Sequence, residues 1–322
     1  MKVILKKKYF YFKLSRSISN SKTKIISKEG WIIKLSNQEN NKIGFGEISP
    51  LYQADFKICQ KQINLIPNSL DELNLLKIIK EFHPCVQSGL KMALAELKEE
   101  IIYNDNYQFE KIYQTAILCD SDSILEELKI FIGKKISLEN SITLKWKVGI
   151  KQNKTEELIL EKILNQINDN IRLRIDANGS WSREIANRWS DILKFNNNLD
   201  WLEQPLSEDD LEGLNTLKEK IPVALDESLI KYPSLTKEWD SWQIRRPSQE
   251  KDPISLVKEL EDKKGFRSIS SSFETGIGRR LNYHLGSLQL EGPNPKVPGL
   301  ALKQTPKSKL FSNNPKIVWE NL

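Results

Sequence analysis

Five residues able to do chemistry recur at a steady interval. Lys147, Asp176, Glu203, Asp226 and Arg246 are separated by 29, 27, 23 and 20 residues. Each closes or follows a short apolar run, and such runs alternating with helical stripes read as β/α units. In a closed barrel of these units the C-terminal strand ends form one shared face, and neighbouring strands lie roughly 4.8 Å apart. Asp176, Glu203 and Asp226, on three consecutive strands, are therefore expected to converge. Carboxylates so close repel one another unless a cation sits between them. With no His or Cys in the set they favour a hard cation, Mg²⁺ ahead of Ca²⁺. Beside them runs Ile142-Thr-Leu-Lys-Trp-Lys-Val-Gly149. A strand's period of two sends Lys145 and Lys147 to one face, and Ile142, Leu144, Trp146 and Val148 to the other. A divalent cation next to a lysine pair suits proton abstraction alpha to a carboxylate, with a lysine as base.

The elements that must position these residues fall into two groups. Residues 1–50 read as antiparallel strands. Trp31–Leu35 and Lys42–Ile48 flank the polar turn Ser36–Asn41 as a hairpin. Residues 69–103 read as helical. Ser69 and Asp71 are candidate caps, Leu73, Leu76 and Ile79 form one core stripe, and Leu90, Ala93, Leu94 and Leu97 form a second. From about residue 113 strands and helices alternate. Strands are expected at Gln114–Leu118, Ile171–Asp176, Asp200–Glu203, Pro222–Asp226, Ser241–Arg245 and Arg267–Ser271, besides the lysine strand. Ser207 is the expected cap of a helix bearing Leu211, Leu214 and Leu217; Asp252 and Pro253 open another. Seven or more such units favour a closed parallel barrel. Beyond about 302 the chain reads as irregular apart from Lys316–Trp319.

Composition narrows the class. With 322 residues, 39% hydrophobic and 29% charged, the chain has ample material for a large core. The net charge of +6 is uneven, since residues 1–34 hold ten Lys or Arg against one acid. That segment reads as a strand with a charged flank, and without a basic–aromatic module no nucleic-acid partner is expected. No apolar run is long enough for a signal peptide or a bilayer span, so no membrane insertion is expected. Cys59, Cys85 and Cys119 lack metal-ligand spacing and read as free thiols of a reducing cytoplasm. His83 and His284 are the only histidines, which leaves no expected His-based zinc site or triad. His83, just before Pro84, reads as structural.

The motifs around these residues resemble the enolase superfamily in its muconate-lactonising branch, over nearly the whole chain. Lys145-Trp-Lys147 is similar to its KxK. Asp176 in Arg-Ile-Asp-Ala-Asn-Gly, Glu203 in Leu-Glu-Gln-Pro and Asp226 in Ala-Leu-Asp-Glu-Ser-Leu are similar to its three metal positions. Ser270-Ser-Ser-Phe-Glu274 resembles a seventh-strand motif whose backbone holds a substrate carboxylate. Gly44-Phe-Gly-Glu-Ile-Ser-Pro-Leu51 resembles the specificity loop of a capping domain.

The resemblance implies an α/β fold, a modified (β/α)7β TIM-type barrel over residues 113–302. An α+β capping domain would span 1–112, with 303–322 returning to it. It implies Mg²⁺ on Asp176, Glu203 and Asp226, and a small carboxylate substrate touched by Ser270, Ser271, Ser272 and Gly46. The implied reaction dehydrates 2-succinyl-6-hydroxy-2,4-cyclohexadiene-1-carboxylate, a step toward menaquinone or phylloquinone. Lys147 would take the alpha proton and then protonate the leaving hydroxyl on the same face, while Lys145 holds the carboxylate. A monomer fits this reading.

One departure stands out. Where the family has a lysine before proline on the sixth strand, Gln243-Ile-Arg-Arg-Pro247 offers Arg246, or Arg245 one place earlier. Arginine keeps its charge and cannot serve as a base. That disfavours a two-base N-acylamino acid racemase or a muconate-type cycloisomerase. A non-catalytic barrel is the remaining alternative.

Overall fold

The computed structural model describes residues 1–19, 23–103, 116–119, 123–132 and 142–322. Alternation along the first strand sets the N-terminal layer. In β1 (Lys2–Ser19), Phe10, Phe12 and Leu14 are buried while Tyr9 and Tyr11 are half exposed, the period expected of a sheet with two unlike faces. β1 pairs antiparallel with β2 (Lys24–Asn37), and β2 with β3 (Ile43–Ile48), across the expected turn. The short β4 (Ser69–Asp71) completes the order β3-β2-β1-β4. Helices α1 (Gln53–Asn64), α2 (Glu72–Ile79) and α3 (Pro84–Leu97) cover one face, where Val3, Leu5, Ile33 and Leu35 pack against Ile63, Leu75 and Leu90. Leu73, expected in the core stripe, is 67% exposed. The Asp71 carboxylate caps α2 through Leu73 N, and this short helix turns Leu75 and Ile79 inward instead.

The second layer is a parallel sheet of seven strands in sequential order: β5 (Ile117–Cys119), β6 (Ile142–Lys147), β7 (Ile171–Asp176), β8 (Leu199–Glu203), β9 (Val223–Leu225), β10 (Trp242–Arg245) and β11 (Arg267–Ile269). Residues 298–301 fill the eighth position. Ala116 N donates to Pro298 O (3.0 Å), Gly299 N to Ile269 O (2.7 Å) and Ser271 N to Gly299 O (2.9 Å). Pro298 has no N–H to give, so this last rung is a bridge rather than a ladder. The result is the (β/α)7β plan with a degenerate final strand. Of the expected first strand, residues 114 and 115 lie outside the described residues, as does the expected domain boundary at 112/113.

Outward-facing Leu144, Trp146, Leu173, Ile175, Leu202, Val223 and Leu225 meet Leu160, Ile163, Trp189, Leu214 and Leu217 of the helix ring. Asp210, not Ser207, caps the helix Leu211–Lys218, accepting from Gly213 N. Lys316–Trp319 lies in a helix, Pro315–Glu320, whose Val318 packs with Phe10, Phe12 and Phe45 of the N-terminal sheet. Among the described residues, no helix is long and apolar enough to cross a membrane.

Glu47 of β3 ties the two layers together. Its buried carboxylate accepts from Thr275 N (3.0 Å), Thr275 Oγ1 (2.6 Å) and Gly278 N (2.9 Å) at the start of the helix Gly276–Leu290. Removing the acceptor orphans three buried donors. Glu47→Ala is therefore expected to cost about 3 kcal/mol in urea unfolding, with Glu47→Gln recovering part of it.

Candidate active site

The strand register brings the five residues to one level. Lys147 lies beside Asp176, and Asp176 beside Glu203, at the ends of β6, β7 and β8. Asp226 and Arg246 directly follow β9 and β10. Lys145 Nζ lies 2.5 Å from Glu203 Oε1 and 3.0 Å from Asp176 Oδ2. Lys147 Nζ donates to Asp176 Oδ2 (2.9 Å) and to Asn178 Oδ1 (2.8 Å). Arg246 grips Asp226 with two bonds, Nε to Oδ1 (2.8 Å) and Nη2 to Oδ2 (2.5 Å), and donates through Nη1 to Ser271 O (2.7 Å). With eight positions around the barrel, β6 and β10 are four apart, so Lys147 and Arg246 approach from opposite sides.

Beneath this face Arg174 stacks 4.0 Å from the Trp201 ring and pairs with Asp200. Trp201 Nε1 reaches Glu203 Oε2 at 3.4 Å, which orients that carboxylate from below.

The lysines and carboxylates are buried and Arg246 is partly so, and their charges act strongly on one another. Burial opposes the Lys145 ammonium, but Asp176 and Glu203 outweigh it and hold it above its ordinary value. Burial would likewise raise Asp176; Lys145 and Lys147 outweigh it and hold that carboxyl well below the usual range. Glu203 goes the other way, raised by burial and then by Asp176. The two acids compete for Lys145, and Asp176 prevails because Lys147 serves it as well.

The structure settles which arginine faces the site. Trp242 and Ile244 cluster with Trp201 and Ala224 inside the barrel, so Arg246 shares their inward parity. Arg245 points outward to Glu250 (2.6 Å) and Glu259 (3.1 Å). Ser270 and Ser271 line the cleft, together with Lys145, Lys147, Asp226 and Arg246. Two expected substrate contacts lie elsewhere. Ser272 N donates to both oxygens of Glu274 (2.9 and 3.0 Å), and its hydroxyl is buried away from the cleft lining. Gly46 lies under α3, where an added Cβ would come 1.8 Å from Gly89 O. Its role is close packing of β3 on α3. Gly46→Ala is thus expected to lower the thermal midpoint by several degrees through a loosened cap, measured by calorimetry, rather than to act on substrate contact alone.

Asn178, Glu227 and Tyr52 were not singled out from the sequence, and all three line the cleft. Asn178, at φ 47°, bridges Lys147 and Glu227. Burial, then Asp226 and Asp176, raises Glu227. Its adjacency to Asp226 was the available signal. The cleft is small and opens to solvent between the strand ends and Leu51 and Tyr52.

The donor set fits a hard divalent cation. Among the described residues, the four carboxylates Asp176, Glu203, Asp226 and Glu227 stand with three cations, Lys145, Lys147 and Arg246, and Glu227 Oε2 is buried without a hydrogen-bond partner. Oxygen donors with surplus negative charge match Mg²⁺, and Asp176, Glu203 and Asp226 would hold it.

Comparison with known proteins agrees with this geometry. A family model described as Enolase C-terminal domain-like matches residues 139–238. The chain is 28% identical over 278 residues to o-succinylbenzoate synthase of Thermosynechococcus vestitus, covering 80% of this chain and 81% of the relative. It is 26% identical over 318 residues to o-succinylbenzoate synthase of Aliivibrio fischeri, covering 91% and 92%. Among solved structures it is similar to o-succinylbenzoate synthase from Thermosynechococcus elongatus complexed with Mg in the active site. That match has a TM-score of 0.73 and 24% identity over 99% of this chain and 100% of that one. The L-Ala-D/L-Glu epimerase of Bacillus subtilis follows at 0.68 and 17%, over 92% and 90%. At these identities the solved structures speak for the fold.

Proposed function

We propose that the chain is an o-succinylbenzoate synthase of the enolase superfamily, a reading supported by its family-model match and its similarity to synthases of that name. It dehydrates 2-succinyl-6-hydroxy-2,4-cyclohexadiene-1-carboxylate to 2-succinylbenzoate, in the cytoplasm, on a route to menaquinone or phylloquinone. The observation that carries this reading is the pairing of one base with one fixed cation. Lys147 stands at the end of β6, and Arg246 faces it from β10 with both its forks engaged.

Lys147 takes the alpha proton and returns one to the leaving hydroxyl on the same face, so that water departs by syn elimination. Lys145 holds the substrate carboxylate near Glu203 and Asp176. Arg246 presents positive charge to the opposite face and orients Asp226. Ser270 and Ser271 frame the far end of the substrate. Mg²⁺, when bound by Asp176, Glu203 and Asp226, supplies positive charge that lowers the cost of the negative charge built up as the alpha proton leaves. Of the proposed cap, Leu51 and Tyr52 line the cleft wall beside Lys147 and Arg246.

The test is to supply the cyclohexadiene carboxylate with Mg²⁺ and follow the aromatic absorbance of the product. Turnover that a chelator abolishes and Mg²⁺ restores is expected, together with a higher thermal midpoint in Mg²⁺ than in chelator. Absence of product under saturating Mg²⁺ overturns the assignment. A racemase reading, suggested by the epimerase neighbour, is disfavoured by arginine at 246 and is tested with N-succinylamino acids.

A further inference from the structure

The proposed reaction uses neither the thiols nor His83, yet the fold brings them together. One ligand atom from each of Cys59, His83 and Cys85 lies within 4.8 Å of the other two. Cys59 comes from α1, while His83 and Cys85 sit at the start of α3. Both cysteines are fully buried. The sequence spacing hid this group, because its halves are brought together only by packing α1 against α3.

The geometry is compatible with a metal site. Cys59 Sγ stands 3.6 Å from His83 Nδ1. A tetrahedral zinc with ordinary Zn–S and Zn–N bonds separates those two atoms by about 3.6 Å. On the far side of the ring, His83 Nε2 lies 3.4 Å from Asp55 Oδ1. In the neutral ring a carboxylate there holds the proton on Nε2 and leaves the Nδ1 lone pair facing the thiols, as a metal ligand requires. That lone pair is only loosely engaged, by a 3.3 Å bond from Cys85 N. On the barrel side Gln249 Oε1 accepts from Cys85 Sγ at 3.2 Å, while Gln249 Nε2 is fixed on Ser49 O (2.8 Å) and Ser248 Oγ (3.0 Å). An amide oxygen thus stands beside the position a fourth ligand would take.

We propose that Cys59, His83 and Cys85 form a buried site for a soft divalent cation of the zinc class, separate from the carboxylate site and independent of the reaction assigned above. Binding takes both sulfurs as thiolates and Nδ1 without its proton; the protons displaced from the thiols and the ring go to solvent, and no oxidation state changes. Gln249 belongs to the turn Pro247–Gln249 that directly follows Arg246. A cation here therefore pins the cap helices to the segment that sets the arginine.

The test uses the full chain, purified with reductant and stripped by chelator. Zn²⁺ or Co²⁺ is added in a large excess of Mg²⁺, which occupies the carboxylate site, and the protein is desalted. One retained Zn²⁺ per chain is expected, as is a thiolate-to-cobalt charge-transfer band in the Co²⁺ form. Cys59→Ser and Cys85→Ser should each weaken Zn²⁺ retention at least about 100-fold. Asp55→Asn should weaken it about 10- to 100-fold, with far-UV circular dichroism confirming that each variant is folded. Failure of the wild type to retain Zn²⁺ overturns the proposal without reference to any variant. So does a cobalt spectrum with no charge-transfer band, or retention unchanged in both serine variants.

Discussion

Lys147→Ala is expected to lower kcat about 10⁴-fold, because one side chain moves two protons and each positioned transfer is worth roughly 10²–10⁴. The loss should not come from unfolding. Leu144, Trp146 and Val148 anchor β6 from its other face and are fully buried, so truncating Lys147 removes the head group and leaves the strand seated. What remains is Asp176 with Lys145 alone, and Asn178 without its ammonium partner. Lys147→Arg separates the two roles a cation could play. It keeps the charge but cannot give up a proton at working pH, so it should be as inactive as the alanine variant. Steady-state rates of aromatic product formation, with circular dichroism as the fold control, provide the measurement. Substantial activity in Lys147→Arg would reduce Lys147 to an electrostatic part and move the base elsewhere.

The acid–lysine constellation was legible because barrel strands impose a register that sequence spacing reflects. Lys147, Asp176 and Glu203 end three adjacent strands, and equal positions on parallel strands lie side by side. Other features lay beyond the pattern. On β10, alternation put Trp242 and Ile244 on one face and Gln243 and Arg245 on the other, and apolar residues can face either the helix ring or the barrel floor. Here the floor takes Trp242 and Ile244, next to Trp201, while Gln243 donates outward to Trp239 O (2.9 Å). The polar stripe thus faces away from the cleft, opposite to β6 and β7. Gly46 and Ser272 lie outside the cleft lining for a related reason. A motif fixes a neighbourhood, but whether a residue meets substrate or packing depends on Gly89 and Glu274, which lie at a distance in sequence. The Cys59–His83–Cys85 group depended on helix packing that no spacing rule encodes.

Arg246→Ala is the second large effect expected, a fall of about 10²–10³ in kcat/KM from loss of charge stabilisation at the face opposite Lys147. Its structural signature differs from that of Lys147→Ala. Burial opposes the guanidinium, but Asp226 outweighs it and keeps Arg246 charged above its ordinary value. Removing it strands a buried carboxylate, and an uncompensated buried charge costs about 3–5 kcal/mol. Urea unfolding in chelator should therefore show a large loss, and saturating Mg²⁺ should recover much of it, since the cation takes over the neutralisation of Asp226. Arg246→Lys then tests the one-base mechanism. A lysine there places a titratable group across the cleft from Lys147, the arrangement that two-face proton exchange requires. The wild type is expected to show no racemisation of N-succinylamino acids in deuterated solvent, and Arg246→Lys a slow but measurable rate. Racemisation by the wild type would mean that a proton reaches the Arg246 side from some other group. In that case Lys147 does not act alone, and the syn elimination loses its structural basis.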